Sequence, residues 1–255
     1  MNVHPRLLVA AAERTALSGA GLDSFAALWA VATAPVEAGN RARGGESAVG
    51  ILELSAPEGP RRYYLKRQRN FNCRTLRHCW RGIPLAQREW QAIQALQARG
   101  IATLEVAAFG RERRGGEDRA LLLTRALDDH QDLDAWLAAH PEAEFRQHLA
   151  AAVGALLAAL HRSGWRHGCL YPKHLFVARD FAAGAGPAAL RLIDLEKCKR
   201  IRRRWGGLRD LDTLLRHCPA LDAPLRERIL AAYGAGLGLE VTPGALARRV
   251  ERSRR

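Results

Sequence analysis

The chain has 255 residues, 48% of them hydrophobic, with a formal net charge of +14 and a sequence pI near 10.7. That length accommodates one large domain or two small lobes sharing a cleft. The charge draws polyanions such as nucleic acid, phosphorylated lipid or nucleotide over long range without choosing among them, and a solvated arginine-rich surface is the other reading. Lysine is confined to Lys66, Lys173, Lys197 and Lys199. Nothing approaches the roughly 20 apolar residues of a membrane span; even A-A-A-V-G-A-L-L-A-A-L is short and flanked by His148 and His161. The five cysteines form no C-x-x-C pair and the start lacks the apolar run of a signal peptide, which points to a reducing cytoplasm. Cys73, His78 and Cys79 match no standard zinc spacing.

In chain order, the glycine pair at 44 and 45 predicts a turn, and residues 49–54 and 62–66 predict an antiparallel hairpin around S-A-P-E-G-P-R. Trp90, Ile93 and Leu96 recur at helical spacing, predicting a helix over 85–99 that Gly100 ends. A-T-L-E-V-A-A-F-G and R-A-L-L-L-T-R-A-L predict two strands joined by a charged turn at 111–119. Beyond Asp132 the pattern becomes helical, with L-D-A-W-L-A-A-H and then residues 145–161, closed by Gly164. Strands are predicted at 175–178 and 190–194, helices from Leu208 onward, and a frayed tail in R-R-V-E-R-S-R-R. The expected class is α+β, a small antiparallel β-rich lobe over residues 1–125 and a mainly helical lobe over 126–255.

Two segments carry the chemistry: W-R-H-G-C-L-Y-P-K-H-L-F-V at 165–177 and L-R-L-I-D-L-E at 190–196. The first resembles the H-R-D-L-x-x-x-x-N loop of protein kinases and the H-G-D of aminoglycoside phosphotransferases. With R-G-G-x-S, Y-Y-L-K-R-Q, R-T-L-R-H, R-E-x-x-x-I, G-I-x-T-L and H-G-x-L-Y-P-K-H in order between Arg43 and Asp212, the chain looks most like the bacterial lipopolysaccharide kinases of the InaA/WaaP type. The resemblance implies a protein-kinase-like two-lobed fold and an ATP- and Mg2+-dependent kinase. Its acceptor would be a heptose or 3-deoxy-manno-octulosonic acid (Kdo) hydroxyl of the lipopolysaccharide inner core. It also implies cytoplasmic placement with peripheral contact to the inner membrane.

Phosphoryl transfer is mostly positioning and charge neutralisation, which gives each residue a physical role. Lys66 would meet the α and β phosphates, with Glu89, 23 residues later, fixing its direction; Gly44, Gly45 and Ser47 would form the turn that covers the phosphates. Asp194 is the expected magnesium ligand, and His174 stands where protein kinases place a second one, although imidazole suits magnesium poorly. Lys173 would stabilise the transferring group, His167 and Tyr171 hold the loop, and Asp210 and Asp212 anchor it from below. Cys169 departs from the pattern, because an aspartate is expected there and an ordinary thiol is mostly neutral at pH 7. A pseudokinase of the same pathway is therefore the first rival reading, unless Glu196, two residues after Asp194, takes over part of the missing carboxylate role. The basic run K-R-I-R-R-R at 199–204 suits an anionic acceptor, with a nucleic-acid contact or a solvated loop as the other readings. The second rival, a basic nucleic-acid-binding protein, has no motif and few aromatic residues to stack bases.

Overall fold

A computed structural model describes residues 3–36, 38–42, 44–56, 59–75, 78–202 and 205–253. Arg43 of R-G-G-x-S, Leu76 and Arg77 of R-T-L-R-H, and Arg203 and Arg204 of the basic run lie outside the described residues. The chain divides into two compact units, Met1–Ile93 with Leu104–Ala126, and Gln94–Thr103 with Leu127–Arg255.

The first unit opens with β1 (Val3–Val9), α1 (Arg14–Gly19) and α2 (Phe25–Ala30), followed by β2 (Ala34–Pro35) and β3 (Asn40–Ala42). Next come β4 (Gly45–Ala56), β5 (Gly59–Arg69), β6 (Asn72–Thr75), β7 (His78–Pro84) and α3 (Leu85–Gln97), whose last residues count with the second unit. The hairpin of β8 (Val106–Arg114) and β9 (Glu117–Arg125) completes it. A seven-stranded sheet runs in the order β1-β8-β9-β5-β4-β2, with β3 also paired to β4 and every pairing antiparallel.

Period-two alternation gives this sheet two buried faces. Tyr63 and Leu65 of β5 and Leu121 and Leu123 of β9 pack on Leu17, Phe25 and Leu28 of the α1–α2 layer. The intervening residues meet α3: Trp90 stacks on Phe109 at 4.5 Å, and Gln68 Oε1 accepts a 2.6 Å bond from the Ala86 amide in the first turn. Gly100, at φ +71°, ends α3 as expected.

Two details depart from expectation here. The turn predicted at 111–119 shrinks to Gly115 and Gly116, whose φ of 58° and 85° make the tight two-residue hairpin that lets β8 and β9 run on past it. The first 48 residues, read from sequence only as far as their glycine turn, contribute β1, the α1–α2 layer, β2 and β3.

The second unit has β10 (His130–Asp132), α4 (Leu133–Ala139), α5 (Ala143–Arg162), β11 (Trp165–Arg166), β12 (Leu175–Ala178), β13 (Leu190–Leu192) and β14 (Lys199–Arg200). It closes with α6 (Leu208–His217), α7 (Ala223–Gly236) and α8 (Pro243–Arg252). Asp132 caps α4 by accepting from Ala135 N at 2.9 Å. β10, β12 and β13 form a small antiparallel sheet. The strand expected to reach Asp194 stops at Leu192, because the Ile193 amide turns to the His174 carbonyl at 3.0 Å and Asp194 adopts a left-handed φ of 54°. Of the expected frayed tail, residues 248–252 belong instead to α8, held by burial of Leu246 and Val250 and capped by Thr242, while Arg254 and Arg255 lie outside the described residues.

α5 is the unit's central helix, burying Leu149, Val153, Leu156, Leu157 and Leu160 on one stripe. It approaches α7 closely at Gly154, where an added Cβ would lie 2.3 Å from the Ile229 carbonyl oxygen and 2.8 Å from Ala232 Cβ. Both obstacles are close to the backbone and neither can swing away. Gly154→Ala should therefore destabilise the protein by roughly 1–3 kcal/mol through overpacking, against the helix-propensity gain that alanine brings elsewhere. Chemical denaturation measures it, and an unchanged or higher midpoint would show that the helices separate without cost.

Candidate functional site

The first unit brings Lys66 and Glu89 together. Lys66 Nζ donates to Glu89 Oε2 at 2.5 Å, with the carboxylate 2% exposed and the lysine side chain 19%. Backbone register explains the neighbours. Ser47 stands opposite Gln68, two residues along from Lys66, so all three share the sheet face that looks toward α3. Gln68 Nε2 donates to Ser47 Oγ at 3.2 Å. Gly44 turns with φ +76°, and a Cβ on Gly45 would fall 2.3 Å from the Arg69 carbonyl oxygen. Only glycine fits that approach of β4 to β5.

The second unit gathers Cys169, His174 and Asp194 around the loop between β11 and β12. Its anchor is Asp210 in the first turn of α6, 1% exposed. Asp210 Oδ2 accepts from the His167 amide at 2.6 Å and from His161 Nε2 at 3.1 Å, while Oδ1 accepts from the Gly168 amide at 2.8 Å. His167 Nε2 donates to the Ile193 carbonyl at 2.8 Å, tying the loop to the segment carrying Asp194. Burial lowers the His167 pKa, more than offsetting the nearby Asp210 charge, so the ring is neutral. Burial acts to raise the Asp210 pKa, but the hydrogen bond and charge of His161 and the Gly168 amide outweigh it and hold the carboxyl below its ordinary range.

His174 and Asp194 form the pair of greatest chemical interest. His174 Nδ1 lies 2.7 Å from the Cys169 carbonyl, to which it must donate. That tautomer aims the Nε2 lone pair at Asp194 Oδ2, 3.3 Å away. Two acceptors in that relation need a proton or a cation between them. Metal bonds of about 2.1 Å at right angles put neighbouring donors about 3 Å apart, so the spacing fits adjacent ligands of one small cation. Among the described residues no three His, Cys, Asp or Glu side chains gather around one point, so such a cation would draw its other ligands from water or phosphate. The carbonyl holding Nδ1 is the outer contact that orients a ligating histidine.

Around this pair, Cys169 is half-buried and its Sγ accepts from Lys197 Nζ at 3.5 Å. Lys173 is exposed on the same loop. Tyr171 packs edge-on to His174 and against His217. Of the basic run, Lys199 and Arg200 pair with β11, and the Arg200 guanidinium lies 4.7 Å from the Trp165 ring centre. The sequence assigns no role to Gln68 or Lys197. Both carry a legible signal, Lys197 as one of four lysines in an arginine-rich chain and Gln68 as the last residue of Y-Y-L-K-R-Q.

Residues 26–233 match the profile of the Lipopolysaccharide kinase (Kdo/WaaP) family. The chain belongs to this family. Protein InaA of Escherichia coli (strain K12) is 29% identical over 221 residues, covering 84% of this chain and 96% of that protein. The lipopolysaccharide core heptose(I) kinase WaaP of Pseudomonas aeruginosa is 29% identical over 153 residues, 56% of this chain and 55% of the relative. The chain thus spans about half the length of that WaaP. A solved structure of WaaP in complex with acyl carrier protein matches with a TM-score of 0.65 at 22% identity, covering 97% of this chain and 98% of that one. The kinase family and the α+β kinase-like fold expected from the sequence both stand.

Asp210 generates a stability prediction. Asp210→Ala leaves the His167 and Gly168 amides without their acceptor and should cost roughly 3–5 kcal/mol. The folded pKa is depressed, so the carboxylate's contribution is complete above the unfolded value of about 4 and is lost as pH falls through the folded value. Unfolding curves should show a constant gap between wild type and variant from pH 7 to about 5, closing only in stronger acid. A gap that closes near neutrality would assign it to the histidines instead.

Proposed function

We propose that this member of the family uses ATP and magnesium to phosphorylate a heptose or Kdo hydroxyl of the lipopolysaccharide inner core, working in the cytoplasm at the inner membrane face. The Lys66–Glu89 pair, whose carboxylate is buried, carries the reading. Arginine fills nearly every other basic position, and a lysine held taut by a buried carboxylate is the arrangement that presents an ammonium to nucleotide phosphates.

In this reading Lys66 binds phosphate oxygens and Glu89 keeps it aimed, while Gly44, Gly45 and Ser47 supply the turn over the phosphates. Asp194 and His174 hold the magnesium, which when bound neutralises charge on the phosphate oxygens. Lys173 and Lys197 offer positive charge to the transferring group. Cys169 contacts the acceptor hydroxyl in place of an aspartate. Its thiol takes up a proton less readily than an ionised carboxylate, and loss of a general base slows reactions by about 10² to 10⁴-fold. Cys169 also favours the second reading, a pseudokinase that binds nucleotide without transferring phosphate.

Magnesium-dependent ATP binding and turnover with a lipopolysaccharide-core acceptor test the proposal. Wild type should turn over slowly, Lys66→Ala and Asp194→Ala should lose on the order of 10²-fold or more, and Cys169→Asp should gain up to about 10²-fold. Binding without turnover in wild type supports the pseudokinase. No nucleotide binding at all sinks both readings.

A further inference from the structure

β6 and β7 form a two-stranded hairpin outside the seven-stranded sheet. Its root is firmly built. Phe71, Cys73, Ile83 and Leu85 make a buried cluster of their own, Asn72 Nδ2 donates to Asp118 Oδ2 at 3.3 Å, and the Leu85 amide bonds to the Phe71 carbonyl at 3.1 Å. Gly82, at φ +70°, sits where a Cβ would lie 2.6 Å from the Cys73 carbonyl oxygen. Toward its far end the hairpin turns outward: Arg74, His78, Cys79 and Trp80 are all exposed. Trp80 is 90% exposed, against 37–48% for the other exposed large hydrophobics among the described residues.

We propose that this hairpin is a membrane finger, with the Trp80 indole seated in the headgroup layer of an anionic bilayer and Arg74 pairing with lipid phosphates. A rigid root bearing a bare indole makes no sense as core packing, since the ring removes almost nothing from water. Indole prefers the bilayer interface, where its apolar body and N–H are both satisfied. Charge agrees, because residues 70–84 carry Arg74, Arg77 and Arg81 and no acidic side chain, and each basic residue near an anionic surface adds about fivefold to binding. A protein partner fits less well, as the other exposed residues of the hairpin among those described, Arg74, His78 and Cys79, give Trp80 no apolar surround of the kind that excludes water from interface hot spots. The inference rests on the reading above that the acceptor is a membrane glycolipid, to whose bilayer the finger would hold the protein.

Flotation of the whole protein with vesicles tests it, comparing phosphatidylglycerol/phosphatidylethanolamine with pure phosphatidylcholine. Wild type should bind the anionic vesicles, and less so at high salt. Trp80→Ser should weaken binding by at least about tenfold and Arg74→Glu by a similar factor. Both residues are exposed, and unfolding midpoints matching wild type confirm that each variant folds. Wild type ignoring anionic vesicles, or both variants binding like wild type, would overturn the finger. So would Trp80-dependent retention on a single-stranded oligonucleotide without vesicle binding, which would make the hairpin a base-stacking element. ATP binding, followed in parallel, keeps the two readings apart: Trp80-dependent flotation without nucleotide binding removes the kinase and leaves the finger, and the converse leaves the kinase alone.

Discussion

Everything in the second unit that bears chemistry hangs on one buried carboxylate. An ionised Asp210 with almost no solvent exposure is tolerable only if donors surround it, and the His167 and Gly168 amides and His161 meet that demand. The consequence runs outward. Fixing those two amides fixes the backbone leading into Cys169, whose carbonyl then orients the His174 ring. His167, held by the same carboxylate through its amide, uses its ring to grip the Ile193 carbonyl, next to the left-handed Asp194. Gly168 must be glycine on two counts, a φ of 82° and a Cβ position 2.6 Å from the Lys197 carbonyl oxygen. Pre-organisation here is a chain of hydrogen-bonded polar groups centred on Asp210 rather than a packed apolar wall.

The first unit solves a different problem with opposite means. Its functional face is one side of a sheet whose other side is closed by apolar packing from α1 and α2. That layer frees the α3 face to carry polar residues: Gln68 satisfies the α3 N-terminus, Ser47 satisfies Gln68, and Glu89 satisfies Lys66. A buried ion pair adds little net stability, because desolvation consumes the Coulomb gain. What it adds is direction, since a lysine with four rotatable bonds is confined to one orientation.

Most of this was legible where the pattern is long and periodic. The β4–β5 hairpin, α3, α5 and the order of motifs were readable because alternation and helical spacing extend over many residues, and the pairing of Lys66 with Glu89 could be expected because their spacing matches a family. The α1–α2 layer was not, as each helix spans six residues, too short for periodicity to rise above the alanine background. β1 was hidden by Pro5, which argues against a strand yet is tolerated at a sheet edge. The end of β13 before Asp194 depends on a tertiary hydrogen bond to His174, which no local sequence pattern encodes.

The charge of +14 left a solvated surface and an anion-binding surface as competing readings, and the structure adds a third use. Arginines repeatedly close helix C-termini, where the last carbonyls lack intrahelical partners and the helix dipole is negative. Arg67 donates to the Leu28 and Val31 carbonyls at the end of α2. Arg146 reaches Leu137 and His140 after α4 at 2.7 Å each, Arg162 reaches Gly236 at the end of α7 at 2.5 Å, and Arg209 reaches Ser253 after α8 at 3.1 Å. Others are paired with acids, as Arg111 is with Asp118 at 2.7 Å. An arginine so occupied contributes to the distant field but has few donors left for a ligand. Global charge is thus a poor guide to where an anion binds in this chain. The informative basic residues are those that structure does not consume, which is why exposed Arg74 on the same hairpin as a bare Trp80 says more about a partner than the whole excess of arginine.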